Sequence, residues 1–403
     1  MVEMKVCIIG LGYIGLPTAI IVADHGVEVV GVDVNPAVVK LTNEGRLHIR
    51  ESNLEEILHR VLESGRLRAS QSLECADVFI VVVPTPLTDE GLPDTDMVRK
   101  AVIRLVPLLK EGNLVIIEST VPVGTTEKMV QLAYSLRPEL KGKIHVAYCP
   151  ERVLPGNIVT ELIGNDRIIG GMDKESVAKA NEFYSLFVKG DLLATDLRTA
   201  EMCKLTENAS RDVQIAFANE LSIICEKAGI NVRELIRLAN RHPRVNILQP
   251  GCGVGGHCIA VDPYFLTSAF PKETALIAQA RATNNYKAAW CTEKIRQAIS
   301  EFSVIKGRVP TVALLGLSFK PDIDDLRESP AMKIVSEIVS CGDAEFLISE
   351  PNLSSNSLFN LIPYDEAYAR ADIVVFLVNH KEFRQLPNDD DKRFLDFCGV
   401  TDS

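Results

Sequence analysis

The chain has 403 residues, more than one hydrophobic core usually serves, so two or three domains are expected and a single small module is excluded. Hydrophobic residues make up 47% and charged residues 24%, which excludes a disordered or low-complexity chain. Lys and Arg total 43 against 54 Asp and Glu, and the net charge of -11 has the wrong sign for a general polyanion-binding surface; nucleic acid is not an expected partner.

Residues 5 to 9 (KVCII) form a short apolar run that ends at a glycine cluster. A helical pattern over Pro17 to Ala23 follows, then a second apolar run, Val27 to Val32, ending at Asp33. Further runs at Val78 to Val83, Leu114 to Ile117 and His145 to Tyr148 alternate with helix-like segments such as Met97 to Leu109. Strands alternating with helices imply a mostly parallel sheet covered on both faces. From Thr199 to Lys227 the pattern becomes one uninterrupted helix, with Gly229 where a helix C-terminus favours glycine. A second long helical stretch runs from Thr274 to about Phe302.

Beyond it, TVALLGLSF at 311 to 319 echoes KVCIIGLGY at 5 to 13, and ADIVVFLV at 371 to 378 echoes ADVFIVVV at 76 to 83. The expected fold class is therefore α/β: two Rossmann-like, doubly wound domains (1–195 and 303–403) joined by a helical connector (196–302) that contains a long central helix.

The ten cysteines are scattered, with no CxxC pair or scaffold-like spacing, and read as reduced thiols. The first residues run into a strand pattern with no basic stretch and apolar leader, and no apolar run reaches the ~18 residues of a membrane helix, so a cytoplasmic protein is expected.

Gly10-Leu11-Gly12-Tyr13-Ile14-Gly15 is a G-x-G-x-x-G that follows a strand and opens a helix. In such a turn the first glycine permits the bend, the second admits a pyrophosphate to backbone N–H groups at the helix N-terminus, and the third allows close helix packing. Asp33 stands where a carboxylate accepts from adenosine ribose hydroxyls, and it would repel a 2'-phosphate, so NAD is expected rather than NADP. Thr85 in VPTP and Thr120 in ESTVPVGT follow apolar runs, at the strand ends where parallel sheets bind ligands, although either could equally be a turn former.

In the long helix, Glu201, Lys204, Asn208 and Arg211 share one stripe, which ordinarily means a solvated face with an ion pair. Gln249 to Asp262 (QPGCGVGGHCIAVD) carries four glycines within six residues, poor material for helix or strand and suited to bringing backbone close to something. Cys258 ends that run and is the best nucleophile among the cysteines. A metal site of Cys252, His257 and Cys258 matches no familiar zinc spacing, and no metal is expected. Arg152, Arg244, Lys320 and Arg327 lie in loop-like surroundings and could together supply the cations a diphosphate needs in an acidic chain.

GLGYIGLP, VPTP, STVPVGT, PERVLPG, ExxKLxEN, HPRVN, GCGVGGHCIAVDP and FKPDIDDLRESP occur in the order and spacing of the UDP-glucose and GDP-mannose dehydrogenase family, which the chain resembles over nearly its whole length. The resemblance implies oxidation of a UDP-sugar C6 alcohol to a carboxylate with two NAD, by a dimer formed through the central helix. HPRVN followed by GVGGHCIAVDP resembles the branch acting on UDP-N-acetylmannosamine rather than UDP-glucose or UDP-N-acetylglucosamine. It further implies that Cys258 captures the intermediate aldehyde, that Lys204 and Asn208 stabilise its oxyanion, and that Asp262, Thr120 and Glu151 handle water or protons. Arg152, Val153, Arg211, His242, Arg244, Gly255, Lys320 and Arg327 match the UDP-sugar site, Arg244 reaching that of the neighbouring subunit. A two-electron hydroxy-acid dehydrogenase would explain Lys204 and Asn208 but not Cys258, and a non-catalytic NAD-sensing scaffold would need none of the three.

Overall fold

The computed structural model describes residues 4–49, 51, 53–153 and 156–401, which divide into two compact units, one ending at Thr206 and one beginning at Glu207. The first unit holds an eight-stranded sheet of β1 (Lys5–Ile9), β2 (Glu28–Val32), β3 (Leu67–Ser70), β4 (Val78–Val81), β5 (Leu114–Ile117), β6 (His145–Tyr148), β7 (Arg167–Gly171) and β8 (Leu192–Asp196). Its order is β3-β2-β1-β4-β5-β6-β7-β8, parallel except where β7 pairs antiparallel with β6. Around it run α1 (Gly15–Asp24), α2 (Pro36–Asn43), α3 (Leu54–Glu63), α4 (Asp96–Leu105), α5 (Thr125–Leu136), α6 (Ile158–Gly164) and α7 (Lys174–Tyr184).

The pleat explains why both faces need covering. Alternate residues of β1 point to opposite sides, so Val6 and Ile8 join a core with α1, α3, α6 and α7 while Cys7 and Ile9 join a second core with α4 and α5. Each such fully buried aliphatic side chain contributes about 1.5–3 kcal/mol, and truncating Ile20 of α1 to Ala would cost about 2–5 kcal/mol. The expected helix from Met97 to Leu109 ends at Leu105 and passes into a 3-10 turn, because Pro107 has no N–H to continue the α-helical ladder.

The boundary between the units falls within α8 (Leu197–Ala228), which ends just before Gly229 in the left-handed region at φ +69°. The second unit continues with α9 (Val232–Ala239), α10 (Asp262–Ala269), α11 (Ala275–Lys306), α12 (Pro330–Cys341) and α13 (Tyr364–Arg370). Its strands β9 (Thr311–Leu315), β10 (Glu345–Ser349), β11 (Ile373–Phe376) and β12 (Arg393–Asp396) form a parallel sheet in the order β10-β9-β11-β12.

The sequence echo between the two ends of the chain is a structural one. Gly10 and Gly316 both turn with φ +99°, directly after the first strand of their sheets. Gly10 N donates to the Val32 carbonyl at 2.7 Å, and Gly316 N donates to the Ser349 carbonyl at 2.9 Å. An acidic residue closes each turn: Asp33 accepts from Leu11 N at 2.9 Å, and Glu350 accepts from Leu317 N at 2.7 Å. The expected α/β class, two Rossmann-like domains with a long helix between them, is thus the fold observed. No helix among the described residues is long and apolar enough to cross a membrane.

Candidate active site

In the first unit the glycine turn is sterically committed. A Cβ on Gly10 would lie 2.1 Å from the Val82 carbonyl oxygen and one on Gly15 1.9 Å from that of Gly10, whereas a Cβ on Gly12 would meet nothing within 4 Å. Protein therefore closes around the first and third glycines and leaves the second open, the shape an approaching pyrophosphate needs. Tyr13 is exposed, Ile14 is half-buried and is the N-cap of α1, and no side chain caps that end, so the positive end of the helix faces the open side. Asp33 accepts from Leu11 N through one oxygen and from Asn35 N through the other at 2.8 Å, which leaves each oxygen a second lone pair for a ligand hydroxyl.

The strand ends beside this turn are laced together. Thr85 Oγ1 donates to the Thr120 carbonyl at 2.6 Å, and Ser119 Oγ accepts from Val83 N at 2.9 Å and donates to the Val83 carbonyl at 2.8 Å. The chain after β4 and the chain after β5 thus move as one. Thr85 and Thr120 were expected here as ligand contacts; Ser119, which carries the bracing, has no signal in the sequence.

Glu151 is buried after β6. Its Oε1 accepts from Arg152 N (2.6 Å) and Val153 N (3.1 Å), and its Oε2 pairs with Arg167 Nη2 at 2.5 Å. Arg152 Nη2 donates to the Asp166 carbonyl at 2.6 Å; Leu154 and Pro155 of the PERVLPG motif lie outside the described residues. Arg167 also faces Glu118 at 3.5 Å and stacks over the Tyr184 ring at 4.8 Å, while Tyr184 donates to Glu118 at 2.5 Å. Burial beside a second carboxylate pushes the Glu118 carboxyl up to about 7. Lys204 of α8 donates from Nζ to the Glu151 carbonyl at 2.7 Å, so the first unit brings Glu151, Arg152, Val153 and Lys204 together.

Glu201 overturns the solvated-stripe expectation. It is fully buried, and it accepts from Gly124 N at 2.5 Å, Thr126 N at 2.8 Å and Thr126 Oγ1 at 2.7 Å. Those amides are the orphan donors at the start of α5, so the carboxylate caps that helix from a distance. Arg211, farther along the stripe, is exposed as expected.

In the second unit the cysteine loop leads into α10. Cys258 is half-buried, and its carbonyl accepts from Val261 N (3.0 Å) and Asp262 N (2.8 Å) in the turn that starts the helix. Asp262 is buried, and its Oδ2 accepts from Asn208 Nδ2 at 2.5 Å. Lys204 and Asn208 are one helical turn apart and so share a face of α8.

The loop also meets the 319–328 segment. A Cβ on Gly255 would sit 2.6 Å from the Glu328 carbonyl and 2.7 Å from Phe319 Cβ, and Gly256 N donates to the Arg327 carbonyl at 3.0 Å. Close backbone approach is thus what the glycines permit, and it joins the Cys258 and Arg327 motifs. Arg327 pairs with Asp325 at 2.6 Å, and Lys320 is exposed with its carbonyl held by Ser318 Oγ at 2.8 Å.

His242 and Arg244 are exposed on a loop closed by Asn240, whose side chain accepts from Ile247 N at 2.7 Å and donates to the Ile247 carbonyl at 2.9 Å. Cys252 is buried in the apolar core, donating from Sγ to the Leu377 carbonyl at 3.4 Å, whereas His257 is exposed. That packing gives Cys252 a place in the core rather than in a metal site with His257.

A turn of this kind recognises a diphosphate, and with Asp33 at the end of the next strand it places the first unit among the dinucleotide-binding domains of Rossmann type. Comparison with known proteins sharpens this. The chain belongs to the UDP-glucose/GDP-mannose dehydrogenase family: residues 4–188 match its NAD binding domain, 198–286 its central domain and 313–402 its UDP binding domain. It is therefore an oxidoreductase of the nucleotide-sugar dehydrogenase type.

Among curated relatives it is 48% identical to the UDP-N-acetyl-D-mannosamine dehydrogenase of Campylobacter jejuni, over 98% of this chain and 99% of that protein. It is also 48% identical to the NDP-N-acetyl-D-galactosaminuronic acid dehydrogenase of Ralstonia nicotianae, over 95% of this chain and 92% of that one. Among solved structures, the UDP-D-ManNAc dehydrogenase of Pyrococcus horikoshii is similar with a TM-score of 0.90 and 38% identity, covering 98% of this chain and 96% of its own.

Proposed function

We propose that the chain oxidises the C6 alcohol of UDP-N-acetyl-D-mannosamine to the uronate in two NAD-dependent steps, with Cys258 as the covalent nucleophile. The observation that carries the chemistry is the Cys258–Asp262–Asn208 arrangement, a half-buried thiol on a turn braced from the helix that also bears Lys204. The near full-length identity to the Campylobacter jejuni enzyme supports the substrate.

Gly10, Gly12, Gly15 and the residues leading into α1, Tyr13 and Ile14, fit the diphosphate of NAD, Asp33 its adenosine ribose, and Thr85 and Thr120 the strand-end side of that site. NAD, when bound, accepts one hydride in each oxidation. The first oxidation leaves an aldehyde, which has no second hydride to give until a nucleophile adds to its carbonyl. Cys258 Sγ makes that bond, giving a thiohemiacetal, and oxidation of the thiohemiacetal leaves a thioester. Water cleaves the thioester, and the thiol is returned to Cys258.

Lys204 and Asn208 donate hydrogen bonds to the oxyanion that forms when sulfur or water adds. Asp262, Thr120 and Glu151 handle water or protons, of which the full reaction releases three: one per oxidation and one from the acid. Arg152, Val153, Arg211, His242, Arg244, Gly255, Lys320 and Arg327 hold the UDP-sugar, their cations matched to its diphosphate. The enzyme acts in the cytoplasm as a homodimer or higher homo-oligomer, and exposed Phe217, Ile224 and Tyr286 on α8 and α11 support an interface there, with Arg244 serving the neighbouring subunit.

A second reading has one observation in its favour, the equal identity to the Ralstonia nicotianae enzyme, whose name points to a nucleotide sugar of the N-acetylgalactosamine type. A panel of UDP-sugars decides. The reading expects two NADH per UDP-N-acetylmannosamine and slower turnover of the galacto and gluco sugars; faster turnover of another epimer overturns the substrate assignment.

A further inference from the structure

The nucleophile's loop is tied at both ends to a buried polar network that neither the fold nor the chemistry above requires. Asn208, Asp212 and Asn219 lie on one stripe of α8. Asp212 is fully buried, and its Oδ1 pairs with Arg281 Nη1 of α11 at 2.8 Å; the same nitrogen lies 3.5 Å from the Ile259 carbonyl, the residue after Cys258. Asn284 Nδ2 donates to the Asp212 carbonyl at 3.0 Å and to Oδ1 at 2.8 Å, and Asn284 Oδ1 accepts from Asn219 Nδ2 at 2.9 Å. Asn219 Oδ1 in turn accepts from Gly251 N at 2.9 Å, where the glycine-rich loop begins. A Cβ on Gly253 would already lie 3.0 Å from the Asn284 carbonyl.

Stability does not account for such a pair. Two buried charges lose their hydration, and replacing both with apolar side chains of similar volume is often neutral or stabilising. Among the described residues the pair is also incompletely satisfied, since Asp212 Oδ2 and Arg281 Nε are buried without a hydrogen-bond partner there. What it does supply is direction. Arg281 Nη1 faces the Ile259 carbonyl, one residue past Cys258, while Asn219 fixes the opposite end of the same loop.

We infer that Asp212 and Arg281 are positioning residues for the thiol: anchored by Asn284, the guanidinium fixes the chain at Ile259 and so sets the direction of Cys258 Sγ. The inference rests on the reading of Cys258 as nucleophile. A misplacement of about 1 Å at a reacting atom lowers a rate on the order of 100-fold.

The test compares the wild-type protein with D212L/R281M, in which both charges are replaced together, and with Arg281→Lys, which keeps the charge but not the fork. Each is measured for thermal unfolding, NAD affinity, the rate of Cys258 carboxamidomethylation by iodoacetamide read by mass spectrometry, and kcat and KM for the UDP-sugar. The double variant is expected to unfold near the wild-type temperature and to bind NAD and sugar as the wild type does. Its labelling rate and kcat are expected to fall on the order of 10-fold to 100-fold, with part of kcat kept by Arg281→Lys. A stable double variant with wild-type labelling and kcat would show the pair to be structural only. If the double variant fails to fold, Arg281→Lys decides, and an unchanged kcat and labelling rate in it overturns the inference. Labelling is read without turnover, so it separates this inference from the nucleophile assignment, which fails on its own if Cys258→Ser still makes uronate.

Discussion

Asn208 Nδ2 and Asp262 Oδ2 meet at 2.5 Å, joining the middle of α8 to the first residue of α10, and the backbone of Asp262 closes the turn on the Cys258 carbonyl at 2.8 Å. The amide has a second N–H to offer. If it donates to the oxyanion formed at the substrate carbon, Asn208→Ala lowers kcat about 100-fold and leaves KM for the UDP-sugar within about threefold. Steady-state kinetics check this, and an unchanged kcat would remove Asn208 from the chemistry.

Asp33 is expected to set the cofactor preference. Its two oxygens are already oriented by Leu11 N and Asn35 N, so its charge cannot swing aside for a 2'-phosphate. NAD should be used at least about 100-fold more efficiently than NADP, and Asp33→Asn should narrow that ratio by removing the charge. Comparable kcat/KM for the two cofactors in the wild type would defeat the assignment.

Glu118 predicts a pH dependence of stability. Its carboxyl, facing Arg167, Glu151, Tyr184 and the Cys149 thiol, is pushed by burial up to about 7. The fold therefore favours its neutral form. The stability this carries is complete below the range where an unfolded Glu titrates, ~4.3, and is lost as pH rises through about 7. Glu118→Gln cannot ionise, so its unfolding free energy relative to wild type should rise by about 3 kcal/mol between pH 4 and pH 8. Denaturant unfolding across that range measures it, and a difference that stays flat would mean that Glu118 is not held neutral.

What could be read from the sequence was local in the chain. The turn at Gly10, Gly12 and Gly15 with Asp33 is compact enough to carry its own spacing, and so is the run from Gly251 to Asp262. The burial of Glu201 is not legible because helical periodicity says which residues share a face and not what covers that face; the amides of Gly124 and Thr126 that cover it come from elsewhere in the chain. Arg167 with Glu118 and Asp212 with Arg281 left no signal, since each partner lies tens of residues away and a charged residue in a sequence looks solvated until its partner is known. Ser119 and Asn240, which brace loops through backbone groups, were hidden for the same reason.

The central claim is that Cys258 captures the aldehyde. The measurement that tests it most directly is uronate formation from UDP-N-acetylmannosamine by Cys258→Ser, with Cys252→Ser beside it as a control at a buried position of the same loop, where the serine hydroxyl can keep the bond that the Cys252 thiol donates to the Leu377 carbonyl. Serine does not ionise as a thiol does, so Cys258→Ser should fold and bind NAD and sugar yet make uronate about 1,000-fold or more slowly, while Cys252→Ser stays near wild type. Uronate made by Cys258→Ser at close to the wild-type rate would contradict the mechanism.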